Sequence, residues 1–226
     1  MSSGLIRNQN GQLYLGVDSD TVLDPSNVAG RNSVRLRSTD AYNAGILVIG
    51  DFSHIPANVC GIWPGFWLVG PAWPQDGEID ILEGVNQMSQ NQITIHSLPN
   101  CKPGVGSQGE TGQRTGMTDC GDQGGFIGCG VFNTKAEGWG SAFNNAGGGV
   151  YATIWTTDAI QVWSWKNSDV PWDIKLNIPN PANWGTPVAN WVGCSFGTMF
   201  DNMKIVSSIH LHQLSSLLKH LAYVDS

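Results

Sequence analysis

Short runs of alternating or wholly apolar residues recur along this chain of 226 residues, each closed by a cluster of turn formers. They are QLYLGV from Gln12, SVRLRS from Ser33, GILVIG from Gly45, GFWLVG from Gly65, EIDILE from Glu78, QITIHS from Gln92, GVYATIWT from Gly149, AIQVWSW from Ala159 and MKIV from Met203. Between them lie NQNG, DPSN, PNCKPG and NNAGGG, which carry the Gly, Pro and Asn of tight turns. Regular short strands with this punctuation predict an all-β chain folded as two packed antiparallel sheets, a sandwich or jelly roll. The polar, Gly-rich stretch from Asn100 to Gly130 holds three of the five cysteines, and it reads as a long surface loop held by disulfides. The last twenty residues change period. Leu211, Leu214, Leu218 and Leu221 recur at helical intervals and predict one apolar side of a helix.

Composition narrows the class of partner. The length suits one domain, and 29 Gly with only 13% charged residues suits a turn-rich β protein. Net charge is −7 with 11 Lys and Arg, and no basic cluster occurs, so nucleic acid and anionic membrane are excluded as partners. No apolar run approaches the roughly 18 residues of a membrane span, and MSSGLIRNQNGQ is no secretory signal. Cys60, Cys101, Cys120, Cys129 and Cys194 lack any CxxC or Cys/His spacing, so no metal site and no cofactor is implied. Scattered cysteines and few lysines fit an exported, disulfide-bonded protein, although an odd count leaves one thiol free or its partner outside the chain. No Asn-x-Ser/Thr acceptor occurs.

The chemistry concentrates in WPQDGEIDILEG, Trp73 to Gly84. Successive side chains of a strand point to opposite faces, so Glu78 and Asp80 share one face while Ile79 and Ile81 take the other. Glu83, five positions after Glu78, falls on the wrong side of a regular strand. One extra residue absorbed as a β-bulge near Ile81 and Leu82 brings it beside the other two. Three crowded carboxyl groups repel, which drives their pKa values apart and suits them to acid/base work. A solvated acidic strand face is the plain alternative. Against it stand the absence of interleaved Lys or Arg and the ten tryptophans, whose flat faces stack on sugar rings as well as filling cores.

This Glu-x-Asp-x-x-Glu block resembles the signature of glycoside hydrolase family 16. GRNSVRLRS (Gly30 to Ser38), CGIWPGFWLVGPAWP (Cys60 to Pro74), ILEGVN (Ile81 to Asn86), TIHS (Thr94 to Ser97), FNNAGGGVYA (Phe143 to Ala152), WGTPVANW (Trp184 to Trp191) and the run from Cys194 to Val206 resemble it too. They stand in the order found in secreted fungal endo-β-glucanases of the laminarinase type. The resemblance implies a concanavalin-like β-jelly-roll sandwich, two antiparallel sheets with a concave substrate cleft. It also implies a monomeric, extracellular endo-acting hydrolase of β-1,3 or mixed β-1,3/1,4 glucan, working by retaining double displacement.

Carried over by position, Glu78 is the nucleophile and Glu83 the general acid/base, with Asp80 hydrogen-bonding Glu78. Retaining glycosidases place two carboxyls about 5–5.5 Å apart, which neighbours on a bulged strand can meet. His96 is assigned to substrate or to assisting the acid/base. Arg35, Trp63, Trp67 and Trp73 are candidates for substrate contact, Trp73 foremost as a sugar platform. A transglycosylase would use the same residues, but relatives of that kind often have the unbulged spacing, so the extra residue favours hydrolysis. A lectin-like module would share the sandwich without needing the carboxylates. Residues 1–206 are expected to form the catalytic domain without its N-terminal strand, and 207–226 an atypical tail in place of the usual C-terminal strand and last cysteine. A chain so shortened is expected to be less stable than its relatives, and inactive.

Overall fold

The computed structural model describes residues 4–24, 30–56 and 58–211. Its strands in chain order are β1 (Ile6–Gln9), β2 (Gln12–Leu15), β3 (Val34–Arg37), β4 (Ile46–Phe52), β5 (Ile62–Val69), β6 (Glu78–Glu83), β7 (Gln92–His96), β8 (Gly104–Val105), β9 (Gln113–Arg114), β10 (Cys129–Phe132), β11 (Gly149–Trp155), β12 (Ala159–Lys166), β13 (Ala189–Val192) and β14 (Lys204–Leu211). Each of the runs picked out by alternation contributes a strand. A seven-stranded sheet has the order β3-β14-β5-β6-β7-β10-β9, and a five-stranded sheet the order β4-β11-β12-β13-β8. Neighbours within both sheets are antiparallel. β1 and β2 form a separate hairpin. This is the jelly-roll sandwich.

The sheets enclose one main core. Leu68, Ile79, Ile93, Ile95 and Val131 of the larger sheet bury their side chains with Tyr151, Trp155, Ile160, Val162 and Trp191 of the smaller. A second apolar layer covers the smaller sheet, where Trp163 and Trp184 meet edge to face at 5.4 Å. The loop above it is tied down by Asp173, whose carboxylate accepts from Ile174 N, Asn180 N and Trp184 Nε1 at 2.8–2.9 Å. Most of the tryptophans are therefore packing residues.

Two sequence expectations change. The pattern was expected to break at Val206, yet β14 runs on to Leu211, hydrogen-bonded to β3 on one side and β5 on the other. Leu211 closes that strand. Its pairing with Ile62 of β5 outweighs the local leucine spacing. Leu214, Leu218 and Leu221 lie outside the described residues. The stretch from Asn100 to Gly130 also contains β8, β9 and the start of β10 within its loops. Cys101 bonds Cys194 and Cys120 bonds Cys129, leaving Cys60 as an exposed free thiol.

Candidate active site

The central strand β6 carries the acidic cluster, and a bulge sets its geometry. Gly65 pairs with Glu83 and Phe66 with Leu82, but Trp67 pairs with Asp80, so Ile81 has no partner on β5. That extra residue turns Glu83 to the face already held by Asp80 and Glu78. The freed backbone groups are claimed by Asn91, a side chain the sequence reading missed. Its Oδ1 accepts from Glu83 N at 2.6 Å and its Nδ2 donates to Ile81 O at 3.0 Å. An Asn just after a turn looks like a turn former, so nothing in the sequence singled it out.

Facing residues in the ladder complete the site. Opposite Glu83 stands Gly65, without a side chain, and Trp63 reaches across so that its Nε1 donates to Glu83 Oε1 at 2.8 Å. Glu78 pairs with His96 on β7. His96 Nε2 lies 3.1 Å from Asp80 Oδ2, and its Nδ1 lies 2.6 Å from the carbonyl oxygen of Gly125. A carbonyl only accepts, so Nδ1 carries hydrogen and Nε2 is turned to Asp80.

The remaining candidates occupy the same face. Trp67 lies beneath Arg35, whose guanidinium carbon is 4.8 Å from the ring centroid, and its Nε1 donates to Ser208 Oγ at 3.4 Å. Trp73, in the turn before β6, packs its ring 6.3 Å from that of His96 and 5.0 Å from that of Phe126. Ser208 and His210, the latter 6.3 Å from the Trp63 ring, were missed because the sequence reading assigned their segment to the tail. The structure thus brings Arg35, Trp63, Trp67, Trp73, Glu78, Asp80, Glu83 and His96 onto one side of the larger sheet.

Burial dominates the electrostatics. It pushes the Glu78 carboxyl well above the usual range, and the Asp80 charge adds to the shift. Asp80 is also raised well above its usual range, by burial and then by Glu83, against a hydrogen bond with Glu78 that pulls it down. Glu83 is raised by burial, while the Trp63 N–H and His96 hold it lower. Three carboxyls that resist ionising together can share and exchange protons with a bound molecule. Ligand atoms of Glu78, Asp80 and His96 fall within 4.8 Å of one another, close enough to share a cation or a proton.

The family profile described as "XgeA-like, catalytic GH16 domain" matches residues 1–212. The chain is 41% identical over 207 residues to the endo-1,3(4)-beta-glucanase xgeA of Emericella nidulans, covering 91% of this chain and 32% of that protein. A probable endo-1,3(4)-beta-glucanase of Aspergillus flavus is 41% identical over 207 residues, 91% of this chain and 30% of the relative. The chain therefore spans about a third of these relatives' length. Among solved structures, an elongating family 16 beta-1,3-glucosyltransferase superposes with a TM-score of 0.85 at 39% identity, covering 98% of this chain and 76% of the other. Laminarinase 16A from Phanerochaete chrysosporium, solved with beta-glucans in donor and acceptor sites, gives 0.84 at 36% identity, covering 95% and 74%.

Proposed function

The chain belongs to glycoside hydrolase family 16, and from that membership we propose that it is the catalytic part of an endo-acting β-glucan hydrolase. Its substrate is β-1,3 or mixed β-1,3/1,4 glucan, cleaved by retaining double displacement outside the cell. One observation carries the reading: the bulge at Ile81 gathers Glu78, Asp80 and Glu83 on a single face lined with tryptophan. A sugar-binding module gains nothing from a cluster that costs stability through burial and mutual repulsion.

Glu78 attacks the anomeric carbon, and Glu83 first protonates the leaving oxygen and then deprotonates the incoming water. Asp80 and Glu78 share one proton across their hydrogen bond. That hydrogen bond raises Glu78 and lowers Asp80, so moving the shared proton onto Asp80 is the step that gives Glu78 the negative charge attack requires. Burial raises Glu83 above its ordinary value, which favours the protonated form the first step needs. His96 donates from Nδ1 to the Gly125 carbonyl, which fixes the ring with Nε2 3.1 Å from Asp80 Oδ2.

Proton NMR of the first product tests the mechanism. Early release of the β-anomer from laminarin is expected, and initial appearance of the α-anomer would exclude double displacement. A second reading, transfer of the glucosyl unit to another sugar, has one specific support in the likeness to the elongating glucosyltransferase. The two differ only in the acceptor that Glu83 activates. Products longer than the starting oligosaccharide would identify transfer.

A further inference from the structure

The loop from Cys120 to Cys129 is closed by the disulfide between those residues and lies against the catalytic face. Two glycines let it come so near. Gly125 has φ +85°, and a Cβ there would stand 2.9 Å from the Pro74 side chain and 3.1 Å from Ser97 O. Gly128 has φ +66°, and a Cβ would stand 2.7 Å from His96 Nδ1. The loop is fixed by further bonds: Gly125 N donates to Gly121 O at 3.1 Å, and Asp119 Oδ1 accepts from Gly121 N at 3.1 Å. At its tip sits Phe126, 51% exposed although it is a large apolar side chain.

Phe126 is one of a row of rings. From the buried carboxyl of Asp80 the row passes to His96, then to Trp73 at 6.3 Å and Phe126 at 5.0 Å, the last pair inclined at 56°. The row begins at the reacting groups and ends in solvent. We propose that Phe126, with Trp73, forms an aromatic platform that holds a glucosyl unit of the polymer beyond the cleavage point, so that the disulfide-closed loop makes turnover depend on chain length.

The chemistry fits a sugar. A pyranose ring has an apolar C–H face and a polar rim, and a flat ring without polar atoms stacks on that face while leaving the hydroxyls in water. Holding half of a phenyl ring in water is unfavourable, and a stacked glucosyl unit relieves that cost. The loop's anchors hold its backbone in place. Binding energy gained on a part of the substrate that does not react can be used to orient the bond that does.

This inference rests on the β-glucan reading, and the test separates the two. Wild type and Phe126→Ala are compared on a graded series of β-1,3-linked gluco-oligosaccharides, by kcat/KM and by calorimetric titration, with thermal melts as a fold control. Loss of the platform is expected to lower the ratio of kcat/KM for long over short oligosaccharides about five- to ten-fold, with a matching loss of affinity for the long ones. Phe126→Trp is expected to restore the ratio, which a merely structural role for the side chain would not do. If wild type cleaves the series and Phe126→Ala keeps the same length dependence, the platform is overturned while the hydrolase reading stands. If wild type neither binds nor cleaves any member, both fall. Gly125→Ala, which pushes the loop from Pro74 without altering the Phe126 side chain, is expected to reproduce the lost length dependence, and an unchanged ratio there would also count against the platform.

Discussion

The side-chain amide of Asn91 stands in for a strand partner of Glu83, accepting from its N–H at 2.6 Å while donating to Ile81 O at 3.0 Å. A bulge strips two backbone groups of their ladder bonds, and buried groups left so are costly. Asn supplies one acceptor and two donors on a short arm, which matches the need. Asn91 is fully buried, so water cannot replace it. The carboxylate spacing of β6 thus depends on a residue eight positions away in the chain.

Asn91→Ala is therefore expected to destabilise the fold by about 1–3 kcal/mol, the cost of buried groups left without partners. It should also loosen Glu83, and a misplaced proton donor can lower turnover by about 100-fold. Thermal melts and kcat on laminarin measure the two effects. A variant that melts and turns over like wild type would show that the bulge needs no such support.

Glu78→Gln and Glu83→Gln are each expected to remove nearly all turnover while the melt stays cooperative, and Asp80→Asn to cost less. Azide should rescue a small-residue variant at one of the two glutamates by replacing the missing nucleophile or bypassing the missing base. Near-normal rates in both glutamine variants would move the assignment to the lectin-like reading.

What the sequence made legible follows from side-chain pattern. Strong alternation marked β3, β4, β6, β7, β11 and β12, and the odd five-residue step from Glu78 to Glu83 marked the bulge. Elements defined by long-range pairing were hidden. β10 begins within CGV at the end of a Gly-rich loop, and β13 is the single short run ANWV. The end of β14 was misread because Leu211 and the leucines after it share a helical spacing that its strand partners overrule. Within the site, Asn91 and Phe126 were invisible for the same reason: each lies in polar or Gly-rich sequence, and its importance comes only from what the fold places beside it.

Trp63 is expected to control the pH range of the acid/base. Its N–H donates to Glu83 Oε1 at 2.8 Å and so favours the ionised carboxylate, opposing the upward push of burial. Trp63→Phe removes that bond and leaves most of the ring. Glu83 then stays protonated to higher pH, and the alkaline limb of kcat/KM moves up. The pH profile reads this separately from any rise in KM. A limb that stays put, or moves down, would mean that the indole N–H does not bear on the proton donor.

Stability should carry the imprint of the same cluster. Folded-state pKa values of Glu78, Asp80 and Glu83 lie above their ordinary values of 4.5, 3.8 and 4.5. Between the ordinary and the raised values the folded chain binds more protons than the unfolded one, so stability falls as pH rises through that window. Asp173 acts with the opposite sign. Burial pushes its carboxyl up, but bonds from Asn180 N, Trp184 Nε1 and Ile174 N outweigh that and hold it below 3.8, so its contribution is lost only in stronger acid. Comparing wild type with Glu78→Gln cancels Asp173 and leaves the cluster. The variant is expected to melt higher than wild type at neutral pH, because the cost of a buried charge is gone, and the gap should close below the ordinary glutamate value, where wild-type Glu78 is protonated in both states. Equal melting temperatures across the whole range would show that Glu78 ionises freely in the folded chain, and the shared proton with Asp80 would then have no place in the mechanism.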